Sequence, residues 1–159
     1  MRGRNRRPRW GDEGQGGFEG LAFGVAVFVF GTLVITNAWG VIDAKAAATA
    51  AAREATRSFV ESSAPSTTEA LAEAEATAQD AIRGYGRDPQ RMELVPEAAV
   101  LERCARVTMR VEYPVPFIVI PAIGRYGRGF TAVGRHSEVV DPFRSGLSDR
   151  SACGRDVRP

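Results

Sequence analysis

Residues 20–42 read GLAFGVAVFVFGTLVITNAWGVI, an apolar run with no charged side chain and only Thr32, Thr36 and Asn37 as polar ones. At a helical rise of about 1.5 Å per residue it reaches about 35 Å, enough for a hydrocarbon core of about 30 Å. Arg2, Arg4, Arg6, Arg7 and Arg9 precede it, and such charges are retained on the cytoplasmic side. The pattern predicts a single-pass anchor in the cell membrane, with a cytoplasmic N-terminus and the remainder of the chain extracytoplasmic. A cleavable secretory signal is the competing reading, because Ala44-Lys45-Ala46 has the small-x-small form of a cleavage site. Against it stands length, since signal cores run about 7–15 residues.

Helical character is expected to continue past the bilayer. Residues 43–61 are rich in alanine and contain neither glycine nor proline, so one helix over residues 18–61, about 65 Å long, is predicted. Its outer half has no strong apolar stripe beyond the alanines, Phe59 and Val60, a composition suited to close helix packing. Residues 62–68 (SSAPSTT) break the pattern. Ser66 with Glu69 three positions on forms a capping box that opens a second helix to about Arg83. Leu71, Ala74, Ala78 and Ile82 are expected to share its buried face, with Gly84 as its terminator.

From Gln90 onward the period becomes two. Ala105, Val107, Met109, Val111 and Tyr113 alternate with Cys104, Arg106, Thr108, Arg110 and Glu112, as in a half-buried strand. Residues 92–95 and 130–140 are weaker strand candidates. Between the better strands lies PVPFIVIPAIG, residues 114–124, whose prolines exclude a regular central strand. It reads either as a loop over the sheet or as an apolar hairpin base touching lipid or a neighbouring subunit; GRYGRG, residues 124–129, reads as a flexible turn. The predicted fold class is α+β: a long N-terminal transmembrane helix extended outside the membrane, a second helix, and a small antiparallel sheet. The expected divisions are a basic cytoplasmic leader (1–14), anchor and extended helix (15–61), a small extracytoplasmic domain (62–141) and a disordered tail (142–159).

Composition narrows the chemistry. The net charge of +2 says little, because the basic excess is concentrated at the termini; the arginines of the leader read as orientation signal and lipid contact, and no nucleic acid is expected. Cys104 and Cys153 would both lie outside the membrane, where a disulfide between them persists; two unrelated thiols are the alternative. His136 is the single histidine and is assigned a surface role; there is no ligand set for a metal and no serine with a local histidine partner. Glu69, Glu73 and Glu75 read as solvated charge. No cofactor and no enzymatic activity are expected.

Glu19 stands at the mouth of the apolar run, where a charge drawn to the bilayer centre costs about 2.5–3.5 kcal/mol. Five positions before it is Gly14, followed by Gln15-Gly16-Gly17-Phe18-Glu19. A basic leader, a glycine before the cut, a glutamate at the fifth mature position and an apolar helix match the pattern of prepilin-peptidase substrates. On these residues, on RWGDEGQGGFEG (residues 9–20), on Asn37 near the outer end of the anchor and on the alanine-rich extension, the chain resembles the TadE-like family of pilus-assembly proteins, in particular the arginine-rich forms of high-GC Gram-positive bacteria. CARVTMRVEYPVP, GRYGRGFTA and HSEVVDPFRSGL extend the resemblance downstream. It implies a minor pilin or pseudopilin of a Flp/Tad-type pilus, cut by prepilin peptidase between Gly14 and Gln15, with other pilin-like subunits, the assembly platform and the lipid bilayer as partners. It also implies a role for Glu19 in peptidase recognition or in pairing with a neighbour's new α-amino group. Gln15 departs from that scheme, because an N-terminal glutamine can cyclise and lose its amine. The alternatives are an anchored extracellular binding module unrelated to pili and a secreted protein with a conventional signal.

Overall fold

The computed structural model describes residues 15–116, 118–120, 124–126 and 129–147. The first helix, α1, runs Gln15–Glu61, and by internal contacts the chain divides within it into Met1–Thr36 and Asn37–Pro159. In the first unit α1 presents Phe18, Leu21, Phe23, Phe28, Phe30, Val34 and Ile35 outward, each exposed. Its two threonines hide their hydroxyls: Thr32 Oγ1 donates to the Phe28 carbonyl (2.8 Å) and Thr36 Oγ1 to the Thr32 carbonyl (2.7 Å). Bonding one turn back satisfies each hydroxyl within the helix itself.

The second unit is built on the rest of α1. Ala44, Ala47, Ala48, Ala51, Ala52, Ala55 and Phe59 are fully buried, a stripe at helical spacing made almost wholly of methyl groups. The second helix, α2 (Thr67–Gly84), starts at Ser66, whose side chain accepts from the Glu69 backbone N–H (3.2 Å). It returns antiparallel to α1, with Thr77 Oγ1 bonded to Ser58 Oγ (3.2 Å) and Ser62 Oγ donating to the Glu73 carboxylate. Its buried face is Ala70, Ala74, Ala78 and Ile82. Leu71, expected there, is only partly buried. Leu71 packs against the edge of the core, while the small Ala70 occupies the fully buried position. The helix end also differs from expectation. Gly84 is the last helical residue, and Gly86 adopts the left-handed conformation (φ 68°). Gly86 N–H reaches the Arg83 carbonyl (2.8 Å) and Arg87 N–H the Ile82 carbonyl (3.2 Å), the paired bonds of a Schellman ending.

A short 3-10 turn at Pro89–Arg91, capped by Asp88, leads into the sheet. Strands β1 (Glu93–Ala98), β2 (Arg106–Val115) and β5 (Phe130–Val139) form an antiparallel sheet in the order β1-β2-β5. Pro96 lies on edge strand β1, beside a register shift at Ala98, where a missing donor and a bulge are tolerated. On β2 Val107, Met109, Val111 and Tyr113 are buried as the alternation predicts, and Val115 with them, but Thr108, expected on the outward side, is also buried, its hydroxyl 2.9 Å from Ser137 Oγ. The outward side is held by charge, with Arg110 between Glu97 (3.0 Å) and Glu112, and Arg135 on the other Glu97 oxygen (2.6 Å).

Between β2 and β5 the described residues form a second hairpin, β3 (Ile118–Ile120) with β4 (Gly124–Tyr126), in the register Ile118↔Tyr126. The segment is therefore a strand pair rather than a loop, and the expected flexible turn begins with a strand; residues 127 and 128 lie outside the described residues. The start of the tail also departs from the expectation of disorder. Arg144 donates to the Val60 and Ser62 carbonyls at the C-terminus of α1, and Arg103 Nε donates to the Arg144 carbonyl (2.7 Å). The guanidinium meets carbonyls that the helix end leaves without intrahelical donors. Residues 148–159 lie outside the described residues.

Candidate functional site

Of the residues the sequence singles out, Gly14 and Cys153 lie outside the described residues, and Gln15 begins the described part of α1. Glu19 sits one turn along, exposed, with no hydrogen-bond or ion-pair partner among the described residues. The helix that carries it is the one among the described residues long and apolar enough to cross a membrane, and its most apolar stretch is not buried. A carboxylate without an internal partner is free to accept charge-assisted hydrogen bonds from outside the chain.

Cys104 is disulfide-bonded and adopts a left-handed backbone (φ 63°) in the turn before β2. That turn is tied to the end of β5, with Cys104 N–H donating to the Val140 carbonyl (3.0 Å) and Val140 N–H to the Ala105 carbonyl (2.9 Å). His136 lies within β5, half-buried, with Nε2 3.1 Å from Glu138 Oε1, rather than on an open surface. Glu73 and Glu75 are exposed, as is Glu69. On α1, Glu61 and then Glu54 raise the Arg57 pKa above its ordinary value, an effect of an exposed pair that adds little to stability.

The sequence shows no sign of a second cluster, at the Asn37 end of the second unit. Arg87, carried just past the Schellman ending of α2, donates through Nη2 to Asp43 Oδ2 (2.7 Å) and the Gly40 carbonyl (2.9 Å), and through Nε to Asp43 Oδ2 (3.1 Å). Arg87 and Arg91 lie over the Tyr113 ring, 5.4 and 5.5 Å from its centroid, and Arg91 Nη2 donates to the Pro114 carbonyl (2.9 Å). The cluster joins α1, α2 and β2. Asp43 directly follows the apolar run, but nothing local to it indicates a partner 44 positions away.

Concave surfaces are shallow and chemically plain. One of about 620 Å³ lies between the α1–α2 connection and the segment after β5, and its cation, Arg144, is committed to the α1 carbonyls. Among the described residues no group of three or more His, Cys, Asp or Glu side chains is placed to hold a metal. On the apolar part of α1, Glu19 is the charged side chain among the described residues, exposed and with no hydrogen-bond or ion-pair partner among them. No family model matches the chain, and neither does any curated protein or solved structure.

Proposed function

We propose that this chain is a membrane-anchored minor pilin-like component of a Flp/Tad-type pilus assembly, held by α1 with its N-terminus cytoplasmic and the Asn37–Pro159 unit extracytoplasmic. Prepilin peptidase cuts it between Gly14 and Gln15, and it acts by helix contacts in the membrane and domain contacts outside rather than by catalysis. The observation that carries this reading is Glu19: an exposed carboxylate without a partner among the described residues, near the start of an apolar helix, five positions after a glycine and behind a basic leader.

Two features of the fold support retention of the helix over release at Ala46. Ala44 is fully buried in the outer unit, and Asp43 anchors Arg87; a cut after Ala46 would remove both from the folded product. The alanine stripe of outer α1 is consumed within the chain, so lateral contacts belong to the apolar half, where Gly20, Gly24 and Gly31 have no neighbour within 4 Å and admit a close helix backbone.

N-terminal sequencing of the mature membrane species tests the reading. Gln15, or its cyclised form, is expected in cells that carry the peptidase, and Gly14→Val is expected to keep its leader, because a branched side chain replaces the minimal one at the cut. Met1 or Arg2 in the wild type, or a start after Ala46, overturns it.

A further inference from the structure

Where the outer unit meets the bilayer is legible in how the sheet runs along α1. Past the end of β5, Arg144 binds the Val60 carbonyl; within β5, Gly134 lies against the Ala48 backbone and the Val133 carbonyl accepts from Lys45 Nζ. At the next inward rung, where Tyr113 faces Ala132, Arg87 lies over the Tyr113 ring and donates to the Gly40 carbonyl of α1. Followed from Val139 back to Phe130, β5 therefore advances along α1 toward Asn37. Phe130, paired with Val115, is the last rung of the sheet.

That end of the unit is apolar and aromatic where a soluble domain would be polar. Trp39 is 70 % exposed, Ile42 62 %, Phe130 55 % and Tyr85 44 %. Ile42 and Tyr85 line one shallow cleft with Lys45. The Lys45 ammonium has three donors and uses one on Val133, leaving two for an anion. Aromatic rings with a polar edge, mixed with a cation, are the composition of a membrane–water interface. These residues also adjoin, in sequence, the segment long and apolar enough to span a membrane.

We infer that the Asn37 end of the outer unit is a phospholipid-docking surface: Trp39, Ile42, Tyr85 and Phe130 enter the headgroup layer and Lys45 pairs with lipid phosphate, so that the sheet stands on the bilayer by its Phe130 end. The inference rests on the anchor reading of α1 and is independent of any role in pili.

The test uses full-length protein in vesicles of phosphatidylcholine and phosphatidylglycerol, the phosphatidylcholine brominated near the top of the acyl chain. Trp10→Phe and Trp39→Phe supply a tryptophan-free background, into which single tryptophans are placed at Ile35, Tyr85, Phe130 or Val139. Ile35→Trp reports the anchor. Tyr85→Trp and Phe130→Trp are expected to lose emission to a degree comparable with Ile35→Trp, and Val139→Trp, exposed at the other end of β5, to lose none. If Ile35→Trp is quenched while Tyr85→Trp and Phe130→Trp match Val139→Trp, the anchor stands and the docking surface is wrong. An unquenched Ile35→Trp overturns both, and equal quenching at Val139 and Phe130 overturns the end-on placement.

Discussion

Gly134 of β5 lies directly against the Ala48 carbonyl of α1, and an ideal Cβ at residue 134 would also come within 2.5 Å of the Thr49 nitrogen. The obstacle is helix backbone, not the end of a flexible side chain, so neither partner yields without moving sheet from helix. Gly134→Ala is expected to destabilise the Asn37–Pro159 unit by about 1–3 kcal/mol, the usual scale of overpacking. Thermal unfolding in detergent checks this, with Gly146→Ala unsuitable as a control because of its positive φ (85°) and Gly84→Ala suitable because nothing lies within 4 Å.

Arg87 is expected to be intolerant of lysine. Its fork serves both Asp43 and a backbone carbonyl from a side chain only 17 % exposed, and an ammonium has no such fork. Asp43 is 41 % exposed, so solvent screening limits the loss to about 1–2 kcal/mol. A double-mutant cycle of Arg87→Lys with Asp43→Asn should give a coupling energy of about 1 kcal/mol; additivity would assign the cost to packing on Tyr113 instead.

Cys104→Ser, or reduction of the wild type, is expected to cost about 2–4 kcal/mol by releasing a chain segment from the sheet. The two treatments should shift the urea midpoint equally, and non-reducing peptide mapping should recover Cys104 joined to Cys153. Recovery of Cys104 as a free thiol would remove this contribution altogether.

Glu19→Gln separates recognition from pairing. Insertion should survive, since the change lowers the cost of entering lipid. Crosslinking to partner subunits, normalised to mature protein, should fall about tenfold, the equivalent of one charge-assisted hydrogen bond. Equal yields per mature molecule would leave Glu19 a determinant of cleavage alone.

What the sequence determined by itself is local. The apolar run, the Ser66–Glu69 cap and the strand β2 each depend on residues within a few positions of one another, and each is present where the pattern predicts it, save that Thr108 is buried where the alternation turns it outward. The spacing of Gly14 and Glu19 is equally local, which is why the candidate site is legible without a fold. The tertiary structure decided what depends on distance and register. Ala70 takes the fully buried position on α2 that the periodicity assigned to Leu71, which packs at the edge of the core. His136 is half-buried because its pairing with Met109 sets the side of β5 it occupies. Gly86 takes the left-handed position two residues past the end of α2 at Gly84, and the turn it makes delivers Arg87 to Asp43. Arg144, in a segment that composition marks as tail, closes the end of α1. No periodicity encodes these contacts, because each is made by a side chain meeting a backbone or charge that only folding brings near.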